Sequence, residues 1–508
     1  MRQEELLINR LAAYARSDMY PFHMPGHKRR TGPEDSFMNS CVDSFTNPFA
    51  VDITEIEGFD NLHHPEGILK DSMKWAADVY GADQTYYLIN GSTGGILAAV
   101  CGSVPRGGRI LVSRNCHKSV YHGICLNQLK TSYVYPQEIE GLGIQGGITA
   151  EDVDRMLNRY MDTQAVLIVC PTYDGIVSDI EAIARIVHRA GLPLIVDEAH
   201  GAHFRYDAMF PASALDLGAD VVIQSVHKTL PSLTQTALLH IKCNRPDGGC
   251  YADRERIDRY IHVLMASIEN SIYQMEQTDM APYGKQLHKL RRRLGQMRHL
   301  RLADTGLIGQ AGIRDLDISK IVVSTRGTCL YPAEDGLTGF TGAQLDDILR
   351  SLTGADLDRV LRREYHLEME MCGADYVTAI TTVMDSGEGL ERLGDALTRI
   401  DSQLTDAGYK PDGRSGDQKS VYSMRCDTAM SMGEAMEEKM ASVGLEDSAG
   451  CISGEFVYIY PPGIPIVAPG EWISRPILEV ILEYRDKGLP VQGPADQSLR
   501  TIRVVQKD

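Results

Sequence analysis

At 508 residues and 43% hydrophobic content, the chain is too long for one ordinary core and has apolar mass for two or three packed units. Its formal charge of −18 opposes nucleic-acid binding and mildly favours cationic ligands. Eleven cysteines with no C-x-x-C pair suit a reducing cytoplasm better than a disulfide framework, and no apolar run is long enough to span a membrane.

Met1-Arg2-Gln3-Glu4-Glu5 begins a polar amphipathic helix rather than a signal peptide. An N-terminal arm is expected over 1–60, a large α/β domain over 61–300 and a smaller C-terminal α/β domain over 301–508. Residues 86–89 read as a strand, 90–95 as a tight Gly-rich loop and 96–100 as the opening of a helix. Apolar β-like runs follow at 109–112, 165–169, 193–196 and 221–223, alternating with helical patterns such as 180–190. That alternation implies a mostly parallel sheet. Farther on, 318–324, 376–383 and 456–460 read as strands, and 341–345 opens a helix. There is no long internal repeat or low-complexity tract, and the basic run at 289–293 reads as a solvated helix face.

Three features of the large domain carry chemistry. Lys228 follows the apolar run Val221-Val222-Ile223-Gln224 and lies 31 positions after Asp197, which ends a second such run, Leu194-Ile195-Val196. Ligands of α/β sheets bind beyond the carboxyl ends of the strands, where both residues fall. An amine there can carry an aldehyde cofactor as an imine, and an acid there can keep a pyridine nitrogen protonated. The third feature is Asn90-Gly91-Ser92-Thr93-Gly94-Gly95, whose free N–H groups at a helix start suit a phosphate, with Ser225 and His227 as further donors. Taken singly, Asp197 could cap a helix, Lys228 could be a solvated lysine, and Gly-rich turns are common in α/β proteins.

Two patterns are decoys. Gly141-Leu142-Gly143-Ile144-Gln145-Gly146 fits G-x-G-x-x-G, but 137–140 is no buried strand and Thr149 to Asp152 reads as a separate helix cap, so a surface turn is expected. His200, His203 and Glu198 imitate a metal site without a clear further ligand, so no catalytic metal is expected.

The chain resembles the Orn/Lys/Arg decarboxylases in the short form without an N-terminal receiver-like domain. The motifs are Pro21-Phe22-His23-Met24-Pro25-Gly26-His27-Lys28, Gly58-Phe59-Asp60-Asn61-Leu62-His63-His64-Pro65-Glu66-Gly67, Arg114-Asn115-Cys116-His117-Lys118-Ser119, Pro171-Thr172-Tyr173-Asp174-Gly175, the Asp197 and Lys228 runs, Glu455-Phe456 and Tyr460-Pro461-Pro462-Gly463-Ile464-Pro465. The resemblance implies fold type I, the aspartate-aminotransferase-like fold of pyridoxal 5'-phosphate (PLP) enzymes, with a mostly parallel seven-stranded-type sheet and a smaller C-terminal domain. It implies decarboxylation of a basic L-amino acid, with arginine favoured over lysine and lysine over ornithine.

By position, the resemblance makes Lys228 the imine-forming lysine, Asp197 the partner of the pyridine nitrogen and His117 the imidazole stacked on the ring. It puts Ser92, Thr93, Gly94, Ser225 and His227 at the phosphate, and His200 near the ring's phenolic oxygen. Lys228 or a nearby histidine is the candidate proton donor. It further implies a cytoplasmic homodimer or higher homo-oligomer, with no nucleic-acid or membrane partner. Asp60, Glu455 and Glu471 are candidate acids for the substrate's cationic end, though each is more often a structural or surface acid.

One departure stands out. Relatives carry a Ser/Thr-rich run that crosses the dimer interface to the neighbouring cofactor phosphate, whereas here Tyr260-Ile261-His262-Val263 passes directly into Leu264-Met265-Ala266-Ser267-Ile268. Three alternatives therefore stay open: a decarboxylase, another fold type I activity such as an aminotransferase or aldolase, and a weakened or inactive relative.

Overall fold

The computed structural model describes residues 17–28, 65–88, 90–139, 141–258, 272, 275–276, 278–330, 350–405, 425–459, 464–486 and 491–506. Its central elements are β1 (Tyr20–Phe22), α1 (Ile68–Tyr80), β2 (Gln84–Leu88), α2 (Gly91–Ser103), β3 (Arg109–Ser113), α3 (Lys118–Leu126), β4 (Lys130–Val134), α4 (Ala150–Arg159), β5 (Thr163–Val169), β6 (Ile176–Val177), α5 (Ile180–Arg189), β7 (Leu194–Asp197), β8 (Val221–Ser225), α6 (Val226–Thr229) and β9 (Ala237–Ile241).

Seven strands form one sheet in the order β2-β9-β8-β7-β5-β3-β4. All neighbours from β8 to β4 are parallel, and only β9 runs against its partners. The period-two alternation of each strand sends Leu111, Val166, Val196 and Val222 into one apolar core and Ile110, Leu167, Ile195 and Ile223 into the other. Helices α4 and α5 close the first face, α2 and α3 the second. Each fully buried branched side chain contributes roughly 1.5–3 kcal/mol, so the double-sided burial that makes these runs uniformly apolar also holds the sheet together.

The helix expected from residue 96 begins at Gly91, because the Gly-rich loop is its first turn. Thr149 caps α4 as expected, accepting the Asp152 N–H at 3.2 Å. The stretch 141–146 is not a surface turn: Ile144 and Gln145 are buried, and Gly146 and Gly147 pack tightly on the carbonyls of Ala311 and Gly312. A single sequence gives no sign of that long-range partner.

Beyond 300, the strands Arg301–Leu302, Lys320–Ser324, Tyr376–Ile380 and Met371–Cys372 form an antiparallel sheet. Helices Gly354–Glu364 and Gly387–Asp401 join the same continuous core as one face of the large sheet. Residues 426–504 bury a core of their own around Val457, Ile477 and Ile502. The expected strand at 456–460 appears as Val457–Ile459, while the expected helix at 341–345 and the junction near 263 lie outside the described residues. A local disulfide joins Cys243 and Cys250 after β9, which the cysteine spacing did not signal. Among the described residues no helix is long and apolar enough to cross a membrane.

Candidate active site

Four carboxyl ends of strands converge on one cleft. β8 runs straight into the four-residue α6 that carries His227 and Lys228, β7 ends on Asp197, β2 leads to the start of α2, and β3 leads to His117, the N-cap of α3. The cavity between them has a volume of about 410 Å³ and is lined by Ser92, Thr93, His117, Asp197, His200, His227 and Lys228. Gly94 lies one position farther into α2, and Ser225, the last residue of β8, is fully buried below the floor. A larger concavity, about 1100 Å³, opens between β4, α4 and residues 425–432. It holds none of these residues, so chemistry rather than size locates the site.

Lys228 Nζ meets His200 Nε2 at 3.0 Å. Lysine is the donor in this contact whenever it is charged, which places the imidazole proton on Nδ1. Burial pushes the Lys228 amine down from its ordinary range, opposed by the Asp197 and Glu370 carboxylates. Burial pushes the Asp197 carboxyl up, opposed by Lys228 and by the Ala199 N–H, which donates to Oδ1 at 3.2 Å. Desolvation first, and Lys228 second, press His117 down to about 3 and hold His200 far below its usual value. His227 falls to about 4 through burial. The histidines are therefore neutral. His117 Nδ1 accepts the Ser119 N–H at 3.2 Å, leaving the proton on Nε2, and His227 Nδ1 donates to the Thr236 carbonyl at 2.9 Å.

Several buried polar atoms here have no protein partner: Ser225 Oγ, His200 Nδ1, Asn115 Oδ1 and Gln145 Oε1. Such atoms are rare in folded proteins, and clustered around one cavity they mark groups a polar ligand would satisfy. The first turn of α2 adds N–H groups with no intrahelical acceptor. An anionic end by Ser92 and Thr93, an aldehyde by Lys228 and a basic ring nitrogen by Asp197 match PLP, and the volume suits a ligand of that size.

Among the further residues that line the cavity and were not expected from sequence are Met24, Asn115, Gln145, Tyr173 and Glu370. Tyr173 packs edge-on against His200, with ring centroids 4.8 Å apart, and its hydroxyl donates to Glu370 Oε1. Glu370 Oε2 accepts the Met24 N–H at 2.7 Å. Met24, Asn115 and Tyr173 fall within the family-like motifs and could have been flagged. Gln145 and Glu370 carried no local signal.

Of the acids considered for substrate, Asp60 lies outside the described residues. Glu455 and Glu471 do not line the cavity. Glu455 accepts the N–H groups of Ala495 and Arg503, both at 2.9 Å, near the surface of the C-terminal region. Glu471 is buried and gives both oxygens to Arg114. Likewise His203 turns to Asp317 at 3.3 Å while Glu198 accepts from Ser213, Ala214 and Gln224, so the apparent metal trio has separate partners.

The sheet order and the residues at its carboxyl edge are those of a fold type I PLP enzyme. Solved structures agree on the fold: lysine decarboxylase A from Pseudomonas aeruginosa superposes with TM-score 0.71 at 19% identity, covering 98% of this chain and 80% of that one. The Francisella novicida lysine decarboxylase gives 0.70 at 19% identity over the same shares. Residues 6–282 match the Orn/Lys/Arg decarboxylase major domain and 416–488 its C-terminal domain. The arginine decarboxylases of Halalkalibacterium halodurans and Bacillus subtilis are 32% and 30% identical, each across 100% of this chain and 99% of the relative. This chain belongs to the Orn/Lys/Arg decarboxylase family, and is a PLP-dependent amino-acid decarboxylase.

Proposed function

We propose that the protein releases carbon dioxide from a basic L-amino acid, arginine before lysine and lysine before ornithine, to give the corresponding amine of polyamine metabolism. The observation that carries the reading is the convergence of Lys228, Asp197 and the start of α2 on one cavity. The full-length similarity to chains named arginine decarboxylase supports arginine as the first choice.

PLP, when bound, supplies an electron sink for the pair left on the α-carbon as carbon dioxide departs. Lys228, whose burial favours the neutral amine, is the nucleophile that takes the aldehyde. Burial pushes the Asp197 carboxyl up, and a protonated ring nitrogen beside it would favour its ionised form. His117 would cover the ring, and Ser92, Thr93, Gly94, Ser225 and His227 would hold the phosphate, with His200 Nδ1–H available to a ring oxygen. Because His117, His200 and His227 are neutral, the proton delivered to the α-carbon is assigned to Lys228 in its ammonium form, which takes its extra proton from the incoming substrate's ammonium group and is steadied by His200 Nε2.

With Asp197 engaged at the ring, Glu370 is the remaining carboxylate among the described lining residues, and it takes the substrate's guanidinium or ammonium. Met24, Val169 and Ile464 wall the cavity with apolar surface. The protein acts as a cytoplasmic homodimer or higher homo-oligomer, in keeping with its family resemblance. Carbon dioxide release from arginine, lysine and ornithine, with PLP and without a keto acid, tests the reading. The expected outcome is greatest kcat/KM with arginine and no release by Lys228→Ala. Turnover that depends on a keto-acid acceptor would sink it.

A further inference from the structure

Apart from Met24, which walls the cavity and donates its N–H to Glu370, the motif at 21–28 has no role in the chemistry above, yet the structure threads it against the residue that matters most. β1 pairs in parallel with Leu367–Met369, fastening the segment to the smaller sheet's side of the molecule. His23 Nε2 lies 3.2 Å from the Glu368 carboxylate, and the Met24 N–H donates to Glu370. The chain then crosses to α6, where the Gly26 N–H donates to the His227 carbonyl at 2.7 Å. On the far side, Thr382 Oγ1 donates to the Gly26 carbonyl at 2.8 Å. The buried Lys28 Nζ then donates to the carbonyls of Ile380 and His23 at 2.8 and 3.0 Å.

We propose that Tyr20–Lys28 is a strap that sets the position of Lys228, with Gly26 as its point of contact, an inference that rests on Lys228 being the cofactor lysine. A methyl group on Gly26 would stand 2.9 Å from the Leu230 carbonyl oxygen, 3.0 Å from the Thr229 carbonyl carbon and 3.1 Å from the Lys228 carbonyl oxygen. All three are backbone atoms, which cannot swing aside as a flexible side chain can. Gly26 does not have a positive φ, so the requirement for glycine here is the close approach and not the backbone conformation. Helix α6 is a single turn and cannot hold its own geometry. The strap supplies an outside donor to that turn, and through Thr382 and Ile380 it ties the turn to the strand Tyr376–Ile380. Gly26 and Thr382 are thus positioning residues: they touch neither cofactor nor substrate.

The test compares parent protein, Gly26→Ala, the nearly isosteric Thr382→Val and Lys228→Ala. The pH midpoint of the visible band of the lysine-bound cofactor is expected to move by about half a pH unit or more in Gly26→Ala, and less in Thr382→Val. In Gly26→Ala kcat is expected to fall about 10- to 100-fold with KM little changed, as for a displaced reacting group. Amide hydrogen exchange over 226–230 of the cofactor-free protein should speed up in both variants while exchange in β5 and β7 stays as in the parent. Unchanged midpoint, kcat and exchange in Gly26→Ala overturn the strap. A parent protein without a Lys228-dependent band overturns the assignment of Lys228 instead. Exchange over 226–230 then still reports on the strap: faster exchange supports it, and parent-like exchange removes it.

Discussion

Arg114, one residue past β3, donates to both oxygens of Glu471, at 2.5 and 2.9 Å, across 357 residues of chain. It also donates to the Ile466 carbonyl at 3.3 Å and lies over the Tyr133 ring. This buried, bidentate pair pins the C-terminal core to the strand end that presents Asn115 and His117. Leaving one buried charge unpaired costs about 3–5 kcal/mol, so Glu471→Ala is expected to lower the denaturant midpoint strongly. A variant of parent-like stability with a raised KM would return Glu471 to the substrate site. Equilibrium unfolding read beside steady-state kinetics separates the two.

Glu370→Gln keeps the side chain's size and removes its charge. A hydrogen bond to a charged group is worth about 1.5–3 kcal/mol, so KM for arginine is expected to rise roughly 10- to 150-fold. Initial rates across substrate concentration measure this, and an unchanged KM would place the substrate's cationic end elsewhere.

The start of α2 is expected to hold phosphate. Ser92→Ala and Thr93→Val should each weaken PLP binding by roughly 10- to 150-fold, the worth of one hydrogen bond to a charged group. Titration of cofactor-free protein gives the dissociation constants. Affinities equal to the parent's would mean that these hydroxyls face away from the phosphate.

His240 is buried and its imidazole is pushed down to about 3 by desolvation. The unfolded chain takes up that proton near 6.5, whereas the folded protein resists it until near 3. Its contribution to stability is therefore complete above 6.5 and is lost as pH falls toward 3. The parent protein should lose up to about 1.4 kcal/mol per pH unit more than His240→Gln across that window. Unfolding free energies at several pH values check the slope, and identical slopes would mean His240 titrates normally.

The large sheet was legible because its strands are buried on both faces and read as uniform apolar runs, and Asp197 and Lys228 stood out by closing two of them. Glu370 was not legible, because it lies between the short strands Leu367–Met369 and Met371–Cys372, which carry no period of their own. Gln145 was misplaced because its burial depends on Gly146 and Gly147 meeting residues 311–312. Glu471 read as a candidate for the substrate's cationic end because only the fold brings Arg114 beside it. Local pattern thus revealed the strand ends, and long-range pairing decided what surrounds them.

Lys228 is the lysine expected to hold the cofactor. Borohydride reduction of the PLP-loaded protein, followed by peptide mass spectrometry, fixes the cofactor to whichever lysine carries it. The expected result is one pyridoxyl group, on Lys228, absent from Lys228→Ala. Label on another lysine, or no label at all, would contradict the account.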